Sequence, residues 1–224
     1  MIISKKKPVE ELLGMLEGVK KVALVGCGSC ATSCQTGGEN EINELTEILK
    51  ENGIEVLGTA IPAESCQKML VKKEMKAFKD LEIDAVISLA CGNGAQTVAQ
   101  NTDLPVYPSN NTVFLGQVER IGIFNEMCRM CGDCVVGYCG GVCPITKCAK
   151  SLVNGPCGGQ KNGKCEVNPE NDCAWIVIYN KMKEQGKEQQ FIDQLLADKP
   201  HGEHAYPRTV NLKEDKKAKE EAAE

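Results

Sequence analysis

Residues 20–38, KKVALVGCGSCATSCQTGG, decide how the first half of the chain is read. Val22 to Val25 form a short apolar run, the pattern of a buried strand. The run stops at Gly26-Cys27 and passes into a loop that carries Cys30 and Cys34. Upstream, PVEELLGMLEGVK places Val9, Leu12, Leu13, Leu16 and Val19 at helical intervals, with Pro8 suited to a first turn. Downstream, ENEINELTEILKENG sets Ile42, Leu45, Ile48 and Leu49 on one helical face, with Gly53 as a stop. IEVLGTAIP, DAVISLAC and LPVYPS then read as further strands, separated by the helical stretches SCQKMLVKKEMKAFKDL and GNGAQTVAQN. Strands alternating with helices predict an α/β fold, here a small doubly wound parallel sheet over residues 1–120.

The cysteines of this half fall where that topology makes them neighbours. Cys27 ends the first strand, Cys30 and Cys34 follow it, Cys66 follows the second strand, and Cys91 ends the third. In an open parallel sheet the carboxyl ends of the strands share one edge, where such folds bind ligands. Buried structural thiols explain one or two of them. Five at one edge predict a metal site, with a [4Fe-4S] cluster as the first choice. The same loop satisfies G-x-G-x-x-A from Gly26 to Ala31, a dinucleotide fingerprint. The second strand, however, ends Leu57-Gly58-Thr59-Ala60 with no acid to hold a ribose, so NAD binding is not expected.

Residues 105–127 carry few charges and read as a linker into the second region, assigned to 121–186. From Cys128 to Cys173 the chain runs C-x2-C-x2-C-x4-C-x3-C-P-x3-C-x8-C-x7-C-x7-C, nine cysteines in 46 residues. Aliphatic residues are too sparse there to hold a core alone. Cys128, Cys131 and Cys134 have the spacing with which one loop wraps a corner of a cubane, and Cys143-Pro144 resembles the end of that motif. Structural zinc is the rival, although no histidine lies in this region. Trp175, Ile178, Tyr179 and Met182 have helical spacing and predict a helix that closes the domain. Residues 187–224 are expected to form a helical extension, which FIDQLLAD begins, and a polar tail holding the only histidines, His201 and His204.

Composition narrows the function. The chain of 224 residues has a formal net charge of -5 and only 4% aromatic residues, which argues against nucleic acid. The N-terminus has no apolar signal segment, and no stretch approaches the ~20 apolar residues of a membrane span. A cytoplasmic protein with reduced thiols is therefore expected, rather than a disulfide framework. No acid–base pair, activated nucleophile or phosphate cradle is visible; Glu126, Asp133 and Glu166 read as solvated loop carboxylates. Cofactor ligands without a catalytic constellation predict a relay rather than an enzyme, and glycines beside the cysteines (Gly28, Gly92, Gly132) let backbone approach a cluster.

Leu152-Val153-Asn154-Gly155-Pro156-Cys157-Gly158-Gly159, with Gly163-Lys164-Cys165 and Asp172-Cys173-Ala174-Trp175, resembles the C-terminal domain found with methylenetetrahydrofolate reductases. In anaerobes that domain occurs as a small iron–sulfur (MetV-type) subunit, which Cys128-Arg129-Met130-Cys131, Gly141-Val142-Cys143-Pro144 and Gly26-Cys27-Gly28-Ser29-Cys30 also resemble. The resemblance implies a non-catalytic subunit of an oxidoreductase complex, working in one-carbon metabolism and the acetyl-CoA (Wood–Ljungdahl) pathway. It implies a flavin-containing catalytic partner, with flavin in that partner only, and a ferredoxin or other low-potential electron donor. The family motif, carried onto this chain, covers Cys128, Cys131, Cys134, Cys143, Cys148, Cys157, Cys165 and Cys173, enough for two cubanes; Cys139 is not required. With the first region, two or three [4Fe-4S] clusters are expected. Zinc at one site, or a zinc-stapled assembly subunit of the same complex, is the alternative.

Overall fold

The computed structural model describes residues 1–194 and residue 196. The tail expected from Lys199 onward, with His201 and His204, lies outside the described residues. Contacts divide the chain into two compact units, Met1–Met130 and Cys131–Glu224.

The first unit is built on a four-stranded parallel sheet. Its strands are β2 (Lys21–Val25), β3 (Glu55–Ala60), β4 (Ala85–Ser88) and β5 (Val106–Pro108), in the order β3-β2-β4-β5. Helices cover both faces: α1 (Val9–Met15) and α3 (Glu39–Glu51) on one, α4 (Lys68–Glu74) and α5 (Gly92–Ala99) on the other. Strand periodicity sorts the side chains. Val22 and Leu24 pack with Leu12, Ile42, Leu45 and Leu49. Ala23 and Val25 point to the opposite face, against Val71, Phe78 and Val98. A strand buried on both faces must be apolar throughout, which is why VALV shows no polar alternation. Each fully buried Val or Leu contributes about 1.5–3 kcal/mol of transfer free energy.

Helix ends follow local chemistry. Glu41 accepts the Gly38 backbone N–H (2.9 Å) at the start of α3, and Gly53 turns the chain at φ +76 after its end. The helix expected over SCQKMLVKKEMKAFKDL is shorter. It tightens after Glu74 into a 3-10 turn, Met75–Phe78, whose threefold repeat aligns buried Met75 and Phe78 on the same core.

Residues 105–127 are not a linker. Beyond β5 they form β6 (Asn110–Arg120) and β7 (Ile123–Cys128), an antiparallel hairpin. With β1 (Ile2–Lys6) it makes a second sheet of order β1-β6-β7. Ile121 at its tip is 85% exposed and Gly122 takes φ +82. Along β6 only Asn110 and Gly116 are buried, so there is no apolar alternation to mark a strand.

The second unit has little regular structure before its closing helix. A 3-10 turn (Val136–Tyr138) and the short α6 (Pro144–Lys147) precede a loop held by two isolated bridges, Lys161 to Lys164 and Lys164 to Asp172. The expected closing helix is α7 (Ala174–Glu184), whose Trp175, Ile178 and Met182 pack with Val135, Cys139 and Ile145. Gly186 (φ +68) then ends it, and α8 (Glu188–Asp193) returns to place Phe191 against Trp175 (5.9 Å) and Tyr179 (5.5 Å). α8 is a separate helix, not a continuation of α7.

Candidate metal centres

The chain order of the parallel sheet reverses between β2 and β4, and Cys27 and Cys91 follow those two strands. Cys30 opens the short α2 (Cys30–Ser33), and Cys91 is the N-cap of α5. The Cys66 thiol is pushed up from its ordinary pKa, first by partial burial and then by the thiols of Cys27, Cys91 and Cys30. Cys27, Cys30, Cys66 and Cys91 all lie on the segments that follow β2, β3 and β4. Cys34 is placed differently: it is buried, and its thiol lies 3.8 Å from the Ile2 carbonyl oxygen of β1.

The loops that carry these thiols are tightly pinned. Cys27 N–H donates to Gly37 O (2.9 Å), Gly28 N–H to Pro62 O (2.9 Å), and the Ser65 hydroxyl to Gly26 O (2.6 Å). Thr32 Oγ1 donates to Cys27 O (2.7 Å). Close approach dictates glycine at two points. A Cβ on Gly26 would stand 2.5 Å from Gly37 O, and one on Gly37 would collide with the Leu89 carbonyl.

The hairpin supplies supports that no sequence signal marks. Asn110 Nδ2 donates to the carbonyls of Thr36 (3.0 Å) and Leu89 (2.7 Å), joining the loops behind Cys34 and before Cys91. Its Oδ1 is buried without a hydrogen-bond partner among the described residues. Thr112 Oγ1 accepts Gly92 N–H (2.7 Å) at the start of α5. A buried asparagine in a half-exposed strand is visible only once the strand is known to cross that edge.

In the second unit, Cys148, Cys157, Cys165 and Cys173 line one cavity of about 20 Å³. Each comes from a different local element. Cys148 ends α6 and Cys173 N-caps α7. Cys165 N–H donates to Asn171 O (3.0 Å), and Cys173 N–H to Gly163 O (2.7 Å), closing the bridged loop. Cys157 Sγ donates to Glu166 Oε1 (3.2 Å), which also accepts the Lys150 ammonium. Those two bonds, Lys150 first, hold the Glu166 carboxyl below the usual range. Glu166 is thus a partner of the cavity rather than the idle loop carboxylate expected.

The other cysteines divide by environment. Cys139 is 1% exposed within the apolar cluster of α7, and burial, aided by Cys143, pushes its thiol up to about 11. Cys143 N-caps α6, and its thiol reaches Thr146 Oγ1 (3.6 Å). Cys128 Sγ accepts the Met130 N–H (3.3 Å), and Cys131 Sγ donates to Asp133 O (3.4 Å). Cys134 is exposed. Among the described residues, no three Cys, His, Asp or Glu side chains stand close enough, as placed, to share one metal ion. The donor sets themselves fit a thiophilic centre: four thiols at the sheet edge and four around one cavity, with no histidine in either set.

The fold and these sets define a two-unit, thiol-rich α/β protein. Residues 107–201 match the family model described as methylene-tetrahydrofolate reductase C terminal. The match starts within β5, so it takes in the β6–β7 hairpin as well as the second unit up to residue 201. No curated protein matches the chain. No helix among the described residues is long and apolar enough to cross a membrane.

Proposed function

We propose that the chain is an electron-transfer subunit of a methylenetetrahydrofolate reductase complex, serving a flavin-containing catalytic partner that makes methyl-tetrahydrofolate. The observation that carries this reading is the family match of residues 107–201, together with the four thiols that line one cavity inside it. Cys148, Cys157, Cys165 and Cys173 would hold one [4Fe-4S] cluster. Cys128, Cys131, Cys134 and Cys143 form a second set on spacing alone. Cys27, Cys30, Cys66 and Cys91 would hold a third centre, with Cys34 outside it. When bound, such clusters supply one-electron storage and transfer at low potential. The chain's own part is to present thiolates and exclude water. The Met130 N–H donates to Cys128 Sγ (3.3 Å). Glu166 accepts from both the Cys157 thiol and the Lys150 ammonium, which keeps that carboxylate beside the cavity.

A zinc-stapled assembly subunit is the second reading. The small apolar cluster behind α7 favours it, since so few buried residues need a staple. A cytoplasmic, anaerobic setting with a low-potential donor such as a reduced ferredoxin belongs to the relay reading. Cys131→Ser in the assembled complex separates the two. The relay predicts that donor-driven flavin reduction by reduced ferredoxin or viologen is lost while flavin content and direct chemical reduction persist. Wild-type donor rates in an intact mutant complex would contradict it. Release of the partner, with no change in the rate of what stays bound, would favour the staple.

A further inference from the structure

One cavity of the first unit, about 480 Å³, has no cysteine in its lining. It lies between α4, with the 3-10 turn that continues it, and the segment that ends α5. Lys68, Lys72, Lys76 and Lys79 line one wall. All four are exposed, and none has an ion-pair partner among the described residues. Asp103 is the one acid in the lining. The opposite wall is Gln100, Asn101 and Thr102, and Met75 and Phe78 lie beneath. In a chain with 31 acidic and 26 basic residues, four unpaired lysines on one wall are a local reversal of charge.

We propose that this cleft is a docking site for a partner protein, engaged through a strongly acidic segment. Lys68 and Lys72 stand at i and i+4 on α4 and repel one another, and Lys76 and Lys79 follow in and after the 3-10 turn, so an anionic occupant relieves a cost already present in the free chain. The form of the site selects the occupant. Small phosphate ligands are bound by helix N-termini and glycine-rich backbone cradles. Here the lining holds no glycine and no glycine-rich loop, so it offers no backbone cradle for a deeply seated phosphate. There is also no arginine for bidentate recognition. Exposed lysines are hydrated point charges on flexible stems, suited to steering and holding an extended acidic surface. Gln100 and Asn101 can hydrogen-bond the backbone of such a segment. Ile83 and Leu104, which lead into β4 and β5, place the cleft toward the amino edge of the sheet, away from Cys27 and Cys91. The site is therefore independent of any metal reading.

The test uses the full chain and fluorescent poly-L-glutamate, followed by anisotropy at low and at physiological ionic strength. Binding should weaken as salt rises. Lys72→Glu with Lys76→Glu should weaken it by about tenfold or more, and Lys72→Gln with Lys76→Gln by an intermediate factor. Because these side chains are exposed, the variants should keep the wild-type circular dichroism and melting temperature. Lys50→Glu, on α3 across the sheet, should cause no comparable loss. Equal loss in the Lys50 variant would reduce the effect to overall charge and overturn the proposal. So would absence of poly-L-glutamate binding at low salt. Tight ATP or tripolyphosphate binding that the double variant abolishes, with poly-L-glutamate unaffected, would make the cleft a small-anion site instead.

Discussion

Cys139 and Cys165 have the same side chain and different chemistry, because one is packed by α7 and the other lines a cavity with three further thiols. Cys139→Ser should cost about 1–3 kcal/mol in chemical denaturation, by burying a hydroxyl among apolar groups, and should leave bound metal unchanged. Cys165→Ser should do the reverse, lowering metal content by about one centre. Equal metal loss in both would place Cys139 among the ligands. Asp84 offers a separate check through pH. It accepts the backbone N–H groups of Lys20 (2.9 Å) and Lys21 (2.8 Å), and those bonds hold its carboxyl below its ordinary 3.8. A depressed folded pKa contributes stability above the unfolded value that is lost as pH falls through the folded one. The melting temperature of the wild type should therefore exceed that of Asp84→Asn by a constant margin above about pH 5, and the margin should shrink below pH 4. A margin independent of pH would contradict this role. At this scale the sequence was legible where topology spoke for a residue: Cys27 and Cys91 end apolar strands. It was silent on Cys34, which spacing cannot tell from Cys30, and on Asn110, whose bonds run to residues 21 and 74 positions away.

Among the elements, the parallel strands were legible because burial on both faces makes β2 and β4 continuous apolar runs. The hairpin was not. Its outer positions are solvated and its inner ones hold Asn110 and Gly116, so no period marks β6. Yet the hairpin buttresses the thiol edge, through Asn110 and Thr112. The opposing wall of that edge depends on close backbone approach at Gly37. Gly37→Ala should force the Cys34–Gly38 loop off the Leu89 carbonyl, costing about 1–3 kcal/mol or more and exposing buried Cys27 and Cys34 to thiol reagents. Gly14→Ala, with open space around its Cβ, should leave thiol reactivity unchanged. Similar reactivity in both variants would show that the loop does not need the close approach.

For the whole molecule, the chain divides into two compact units, and motifs resembling the reductase family's occur in both, at residues 26–30 and from Cys128 onward, while the family model matches residues 107–201. The NGPCGG element was legible as family sequence, while its physical work was not: Asn154 exchanges two hydrogen bonds with Leu196 (2.7 and 2.6 Å), and the Trp175 indole donates to Leu152 O (3.1 Å). These contacts close the loop over the α7 cluster from residues far apart in the chain. The central claim is that the thiol sets hold iron–sulfur clusters rather than structural zinc. It is tested most directly by iron, zinc and acid-labile sulfide analysis of anaerobically prepared full-length protein. The account predicts a brown protein with roughly eight to twelve iron atoms, matching sulfide and little zinc. A colourless protein, or one with about four iron atoms or fewer and zinc in the remaining sites, would contradict it.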